Sequence, residues 1–109
     1  MLILNSILAS ALSLALSVIG NNSYAPAEVL FTLRLNQPVL GEVCVEAHGD
    51  EESGFAFKSS CEDLRGTVRQ IRWRGMQPGN YQVRATYRGG TERLVTTYQP
   101  LTILQYGAR

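Results

Sequence analysis

From Glu28 onward the apolar positions of this chain alternate with polar ones in short runs of period two, the pattern of strands buried on one face. Val29, Phe31, Leu33 and Leu35 share one face of a run that Asn36-Gln37-Pro38 ends. Between Val39 and Ala47, Val43, Val45 and Ala47 share one face, leaving Glu42, Cys44 and Glu46 on the other. A polar stretch, His48 to Gly54, separates this run from the short apolar piece Phe55-Ala56-Phe57. Thr67 to Arg74 places Ile71 and Trp73 in phase and Val68 out of phase, which predicts a bulge or a poorly buried strand start after Gly66. Pro78 and Gly79 suit the central positions of a type II turn over 77–80. In the strand that follows, Tyr81, Val83, Ala85 and Tyr87 point inward and Gln82, Arg84, Thr86 and Arg88 outward. Gly89-Gly90 breaks it, Glu92 to Tyr98 forms another strand, Pro100 interrupts, and Leu101 to Tyr106 forms the last. About six to seven strands spaced roughly ten residues apart predict an all-β fold, an antiparallel β-sandwich.

The first 27 residues read differently. They contain no Asp, Glu, Lys, Arg or His, and Ile7 to Ile19 is apolar apart from scattered serines. That composition predicts a secretory signal helix over 1–27, followed by a domain over 28–109. Ala25-Pro26-Ala27 has the small-x-small form of a cleavage site, so cleavage is expected after Ala27, with cleavage after Ala25 or retention as the alternatives. The apolar core of about 13 residues falls short of the roughly 20 that span a bilayer, so no membrane span is expected once the signal is removed.

An exported domain of this size benefits from a covalent staple. Cys44 and Cys61 are the two cysteines, and an oxidising destination makes one intramolecular disulfide the simplest pairing. Closing the 16 residues between them stabilises a fold by about 3 kcal/mol in the chain-entropy picture. Two cysteines and the single histidine, His48, lack the paired spacing and fourth ligand of a zinc site, so neither metal nor cofactor is expected.

Charge is distributed unevenly. Residues 28–64 hold eight acids and two bases, and residues 65–109 hold eight bases and one acid. Nine of the ten bases are arginine, the residue suited to planar bidentate contacts. If the strand after Gly66 and the strand after Gly79 form a hairpin, Arg72, Arg74, Arg84 and Arg88 share an outer face, a candidate binding surface. Their partners are either internal, with Glu42 and Glu46 supplying cross-strand ladders, or an external anionic surface. The net charge of +1 gives no long-range attraction to polyanions, which favours the internal reading and argues against nucleic acid. Trp73 with Tyr81 or Tyr87 could stack against a sugar, although in-phase strand aromatics belong more often to a core.

The Gly41-Glu42-Val43-Cys44-Val45 strand, the phenylalanine-containing loop and the Met76-Gln77-Pro78-Gly79-Asn80-Tyr81 turn together resemble prealbumin-like, or carboxypeptidase-regulatory-like, β-sandwich domains of secreted proteins. They are also similar to small secreted bacterial sandwich proteins that share an aliphatic-x-Pro-Gly-x-Tyr turn. The resemblance implies an immunoglobulin-like architecture and a secreted or periplasmic location. His48 stands beside Asp50, Glu51 and Glu52 with no nucleophile motif around it, and that acidic loop lacks the spacing of a calcium loop. The expected function is a non-catalytic binding or structural module whose partner is a protein or cell-envelope component. The alternative is a small inhibitor or carbohydrate-binding domain presenting the 48–54 and 88–93 loops.

Overall fold

A computed structural model describes residues 11–54, 56–90 and 93–105, and all regular structure among them is strand. Six strands follow one another: β1 (Leu14–Ile19), β2 (Ser23–Tyr24), β3 (Ala27–Gly49), β4 (Phe57–Met76), β5 (Gly79–Gly89) and β6 (Arg93–Leu104). The expected breaks at Pro38 and Pro100 thus lie inside longer strands, and the strand expected over 101–106 ends within the described residues at Leu104. Tyr106, and residues 91 and 92 of the 88–93 loop, lie outside the described residues. The strands make one mixed sheet in the order β1-β3-β5-β6-β2, with β4 on the other edge of β3. All pairings are antiparallel except β2 with β6. The sheet curls into a half-barrel, so the prediction of an antiparallel sandwich gives way to a single mixed sheet whose two halves face each other.

The curl comes from a ribbon folded over on itself. β3 and β4 pair along nearly their whole lengths, but the register jumps between Arg34 and Val39, where Val68 and then Gly66 stand opposite. Gly66 has a φ of 115°, a backbone angle that side-chain-bearing residues rarely adopt. The irregularity foreseen from the phase of Val68 is this crease. Beyond it the two halves of β4 meet: Trp73 Nε1 donates to Ser60 Oγ at 2.8 Å, and Arg69 pairs with Glu62 at 2.8 Å. Lys58 Nζ lies 5.3 Å from the Trp73 ring centre. The open edge of the half-barrel is therefore sealed by polar groups.

Inside the fold the inward phases read from the sequence are those observed. Val29, Phe31, Leu33 and Leu35 from one half of β3, Val43, Val45 and Ala47 from the other, and Tyr81, Val83, Ala85 and Tyr87 from β5 form one buried cluster. Phe31 meets Trp73 edge to face with ring centres 4.8 Å apart. Burying each large side chain of this kind contributes roughly 1.5–3 kcal/mol.

The amino-terminal segment departs most from expectation. Its described part is strand and turn rather than helix. β1 pairs with Leu30–Leu35 of β3, and Leu14 is buried while Leu12, Leu16 and Val18 pack against the core. Asn36 secures the start of the segment, accepting from Ser13 N and donating to Ala11 O at 2.9 Å each. At the other end Asn22 N donates to Thr102 O at 2.7 Å and Ala25 N to Leu104 O at 2.8 Å. The boundary drawn after residue 27 therefore falls inside the sheet, with two strands before it. The remaining residues of the expected signal, 1–10, lie outside the described residues. Among the described residues no helix is long and apolar enough to cross a membrane.

Two measurements check this architecture. Leu14→Ala in the purified full chain should cost roughly 2–5 kcal/mol in denaturant melts, as for a buried leucine, whereas a leader outside the fold would leave the midpoint unchanged. Gly66→Val should cost about 1–3 kcal/mol through backbone conformation alone, because a Cβ at that position would meet no atom within 4 Å. An unaltered melt would place the crease elsewhere.

Candidate functional site

The outer face of β3, β5 and β6 gathers the polar side chains that the inward phases leave over. Register sets them in rows across the strands: Glu46, Arg84 and Tyr98; Cys44, Thr86 and Thr96; Glu42, Arg88 and Leu94. Cys61 of β4 stands directly opposite Cys44 and is bonded to it. The rows surround a shallow concavity of about 150 Å³ whose lining includes Glu42, Cys44, Arg84, Arg88 and Leu94.

Charge pairing on this face is selective. Arg84 donates to Glu46, and His48 Nε2 lies 3.4 Å from the same carboxylate oxygen. Hydrogen bonding to Glu46, followed by a contact with Tyr98, holds the Arg84 guanidinium above its ordinary pKa. Its Nε is nonetheless covered and without a hydrogen-bond partner among the described residues. Arg88 stands opposite Glu42 on β3, yet the two make no ion pair, and Glu42 Oε1 instead lies 3.8 Å from Cys44 Sγ. Arg88 is thus a fixed charge on this face without an ionic partner among the described residues.

The four arginines grouped from the sequence do not share a surface. β4 and β5 are not neighbours, since both pair with β3, and Arg72 stands opposite Leu30 while Arg84 stands opposite Glu46. Arg72 is paired with Glu28 on the other half of the fold. Arg74 lies on that half as well, leaving Arg84 and Arg88 together. The internal charge ladder therefore forms for Arg84 and Arg72, with Glu46 and Glu28 as acids, and Glu42 takes no part in it.

The turn motif is arranged differently from a type II turn. Asn80 N donates to Ser53 Oγ at 3.1 Å instead of closing a turn onto Gln77, and Gly79 has a φ of 154° at the start of β5. Pro78-Gly79 is a crossing between non-adjacent strands. Gly79 is needed for close approach, because a Cβ there would fall 2.4 Å from Ser53 Oγ and 2.7 Å from Ser53 Cα. Tyr81 OH donates to Gln77 O, four residues upstream, at 2.9 Å. Burial raises the Tyr81 phenol above its usual pKa, opposed by the Gly54 amide and reinforced by the Asp50 charge.

The 48–54 loop, though largely exposed, is tied to the segment that leads into β5. Gly54 N donates to Pro78 O at 2.9 Å, and Ser53 Oγ donates to Asp50 Oδ1 at 2.7 Å. The Ser53 hydroxyl holds the Asp50 carboxyl below its ordinary value, opposed by desolvation and aided by the Glu52 amide. Of the acidic oxygens in this loop, Asp50 Oδ1 is engaged in the network, accepting from Ser53 Oγ and from Glu52 N. Glu42, Cys44 and Cys61 bring potential metal-ligating atoms within 4.8 Å of one another, but the two sulfurs are bonded together and cannot act as thiolates. Trp73, Tyr81 and Tyr87 are each 3% exposed, so they belong to the core and cannot stack against a sugar. The Tyr87 hydroxyl is satisfied internally by Leu40 O at 3.0 Å.

Sequence reasoning missed Leu94 and Tyr98, 58% and 59% exposed on the outer face of β6. The signal was present: Leu94, Thr96 and Tyr98 alternate with Val95, Thr97 and Gln99, but both sets are uncharged, so the inward set cannot be told from the outward one by polarity. No family model matches the chain, and no curated protein matches it. Among solved structures it is similar to the crystal structure of BslA, a bacterial hydrophobin, at 12% identity and a TM-score of 0.48, over 85% of this chain and 99% of that one.

The Asp50 network gives a pH test. Because the folded pKa lies below the ordinary value of 3.8, the ionised carboxylate stabilises the fold above that value, and the contribution is lost as pH falls through the folded pKa. Wild type should melt above Asp50→Asn near neutrality, and the gap should close in acid. A gap independent of pH would remove the carboxylate from this role.

Proposed function

We propose that the chain is a non-catalytic binding module of a secreted or periplasmic compartment, built as an immunoglobulin-like or prealbumin-like domain, and that it contacts a protein or cell-envelope component through the outer face of β3, β5 and β6. The observation that carries the reading is the composition of that face: Arg88 without an ionic partner among the described residues, beside Leu94 and Tyr98, both largely exposed, on a stapled sheet. Charge, an apolar side chain and an exposed aromatic around a rigid shallow surface suit a protein contact, where aromatics and arginine contribute disproportionately.

The Cys44–Cys61 bond supports the compartment, since cytosolic thiols are kept reduced. The immunoglobulin-like reading is supported by Tyr81, whose hydroxyl returns to the backbone four residues upstream at the entry of β5, the corner arrangement that recurs in such domains. The carbohydrate-binding alternative loses its aromatic platform, because Trp73, Tyr81 and Tyr87 are core residues.

The test compares retention of cell-envelope components and of arrayed glycans by the wild-type chain and by Arg88→Glu, Leu94→Asp and Arg74→Glu. Protein retention lost in the first two variants and kept in Arg74→Glu, which lies on the other half of the fold, is the expected result. Retention on glycans alone would shift the reading to a sugar-binding domain, and retention indifferent to Arg88 and Leu94 would remove this face from the function.

A further inference from the structure

Apart from the outer side of β1, which ends the strand order, the sheet has two edges, and these are finished in opposite ways. β4 forms one edge along its whole length, and its run carries Lys58, Glu62, Asp63, Arg65, Arg69 and Arg72, with the crease at Gly66 in the middle. Charges and bends of this kind keep an edge from pairing with another chain. β6 forms the other edge, and Leu94 through Leu104 contain no charge. β1 also comes near β6, but among the described residues the backbone of β6 is bonded on the side away from β5 only at its end, where β2 pairs with Ile103 and Leu104 and Asn21 and Asn22 bond Thr102.

Thr102 N and O face Asn21 and Asn22, and Leu104 O faces Ala25, so even-numbered residues of β6 direct their backbone groups away from β5. Leu94, Thr96 and Tyr98 therefore present N–H and C=O groups on this edge, with no partner for them among the described residues. Pro100, which has no N–H, ends the free stretch before the covered part begins.

We propose that this edge pairs with the same edge of a second copy, β6 against β6 about a two-fold axis through Thr96. Antiparallel pairing there sets Thr96 opposite Thr96 of the second copy and Leu94 opposite its Tyr98, with Tyr98 opposite its Leu94. The three pairs make about six backbone hydrogen bonds. Self-complementarity is what selects this occupant. The two large exposed apolar side chains of β6 sit two positions either side of Thr96 on the same face, so a two-fold operation brings each onto the other as an aromatic–aliphatic cross-strand pair. No like charges oppose one another across the axis. The joined sheets would run β3-β5-β6-β6-β5-β3 and double the outer face. This inference uses the same Leu94 and Tyr98 as the proposed contact face, but its test contains no other component and so is decided independently of the proposed partner.

The experiment is light scattering coupled to size exclusion on the purified full chain over a concentration series, with no other component present. Wild type should move from monomer to dimer as concentration rises. Thr96→Lys, which sets two ammonium groups opposite each other at the axis, should remain monomeric, and Gln70→Lys on the β4 edge should dimerise as wild type does. If Thr96→Lys fails to fold by circular dichroism, Thr96→Cys supplies the readout, since the introduced thiols of two directly opposed copies should join under mild oxidation into a disulfide-linked dimer. A wild-type chain that stays monomeric throughout, a dimer that Thr96→Lys leaves intact, or no disulfide-linked dimer from Thr96→Cys would overturn the proposal.

Discussion

The structure depends on the crease in the β3–β4 ribbon. A long two-stranded ribbon with apolar residues on one face cannot bury that face by itself, and isolated two-stranded hairpins are marginal in water. Doubling back at Gly66 and at the register break between Arg34 and Val39 brings Phe31 and Trp73 of one half against Val43 and Val45 of the other. β1 then covers the free edge of the first half and β5 that of the second. The place of every other strand follows from which half of β3 it pairs with. The crease also explains why Trp73, an edge-strand residue, is buried: the opposite half supplies Ser60 for its indole N–H and Lys58 for its ring face.

What could be read from the sequence is what depends on local periodicity. The inward phases of β3 and β5 follow from alternation alone, because polar and apolar residues trade places at every step. The Cys44–Cys61 pairing follows from there being two cysteines. β1 was hidden by composition. Leu12, Leu14, Leu16 and Val18 alternate with Ala11, Ser13, Ala15 and Ser17, a strand pattern whose outward positions are small instead of charged. Uncharged outward residues give the segment the overall hydrophobicity of a signal, and total hydrophobicity masked the period. Pro100 reads as a break for a similar reason. It sits within β6 because that position faces the uncovered edge, where the missing N–H has no ladder partner to lose.

Strand adjacency was not legible, since it is a long-range property. A Pro-Gly pair between two strands suggests a hairpin, and a hairpin would have put Arg72 and Arg84 side by side. The chain instead crosses from one half of the fold to the other between Met76 and Gly79, so Arg72 meets Glu28 and Arg84 meets Glu46. The local signal gave the turn residues but not their use. Gly79 serves close approach to Ser53, and Tyr81 ties the crossing to Gln77 and Pro78 through its hydroxyl. The tie between the 48–54 loop and the entry of β5 could not be foreseen for the same reason: its partners lie about 27 residues away in the chain.

The same separation of local from long-range information governs the surface. Exposed ion pairs such as Arg72 with Glu28 and Arg69 with Glu62 contribute little individually, commonly below about 1 kcal/mol. Their effect is larger on what the surface refuses. A charged, creased β4 offers an incoming strand a bent edge lined with ammonium, guanidinium and carboxylate groups that would have to be desolvated. β6 has none of these from Leu94 onward, and its outward side chains are threonine, leucine and tyrosine, residues common in paired strands. Had the two edges been alike, each could have paired with the other in an open head-to-tail array. With β4 closed to pairing, β6 meeting the β6 of a second copy makes a contact between like edges, and such a contact closes at two copies.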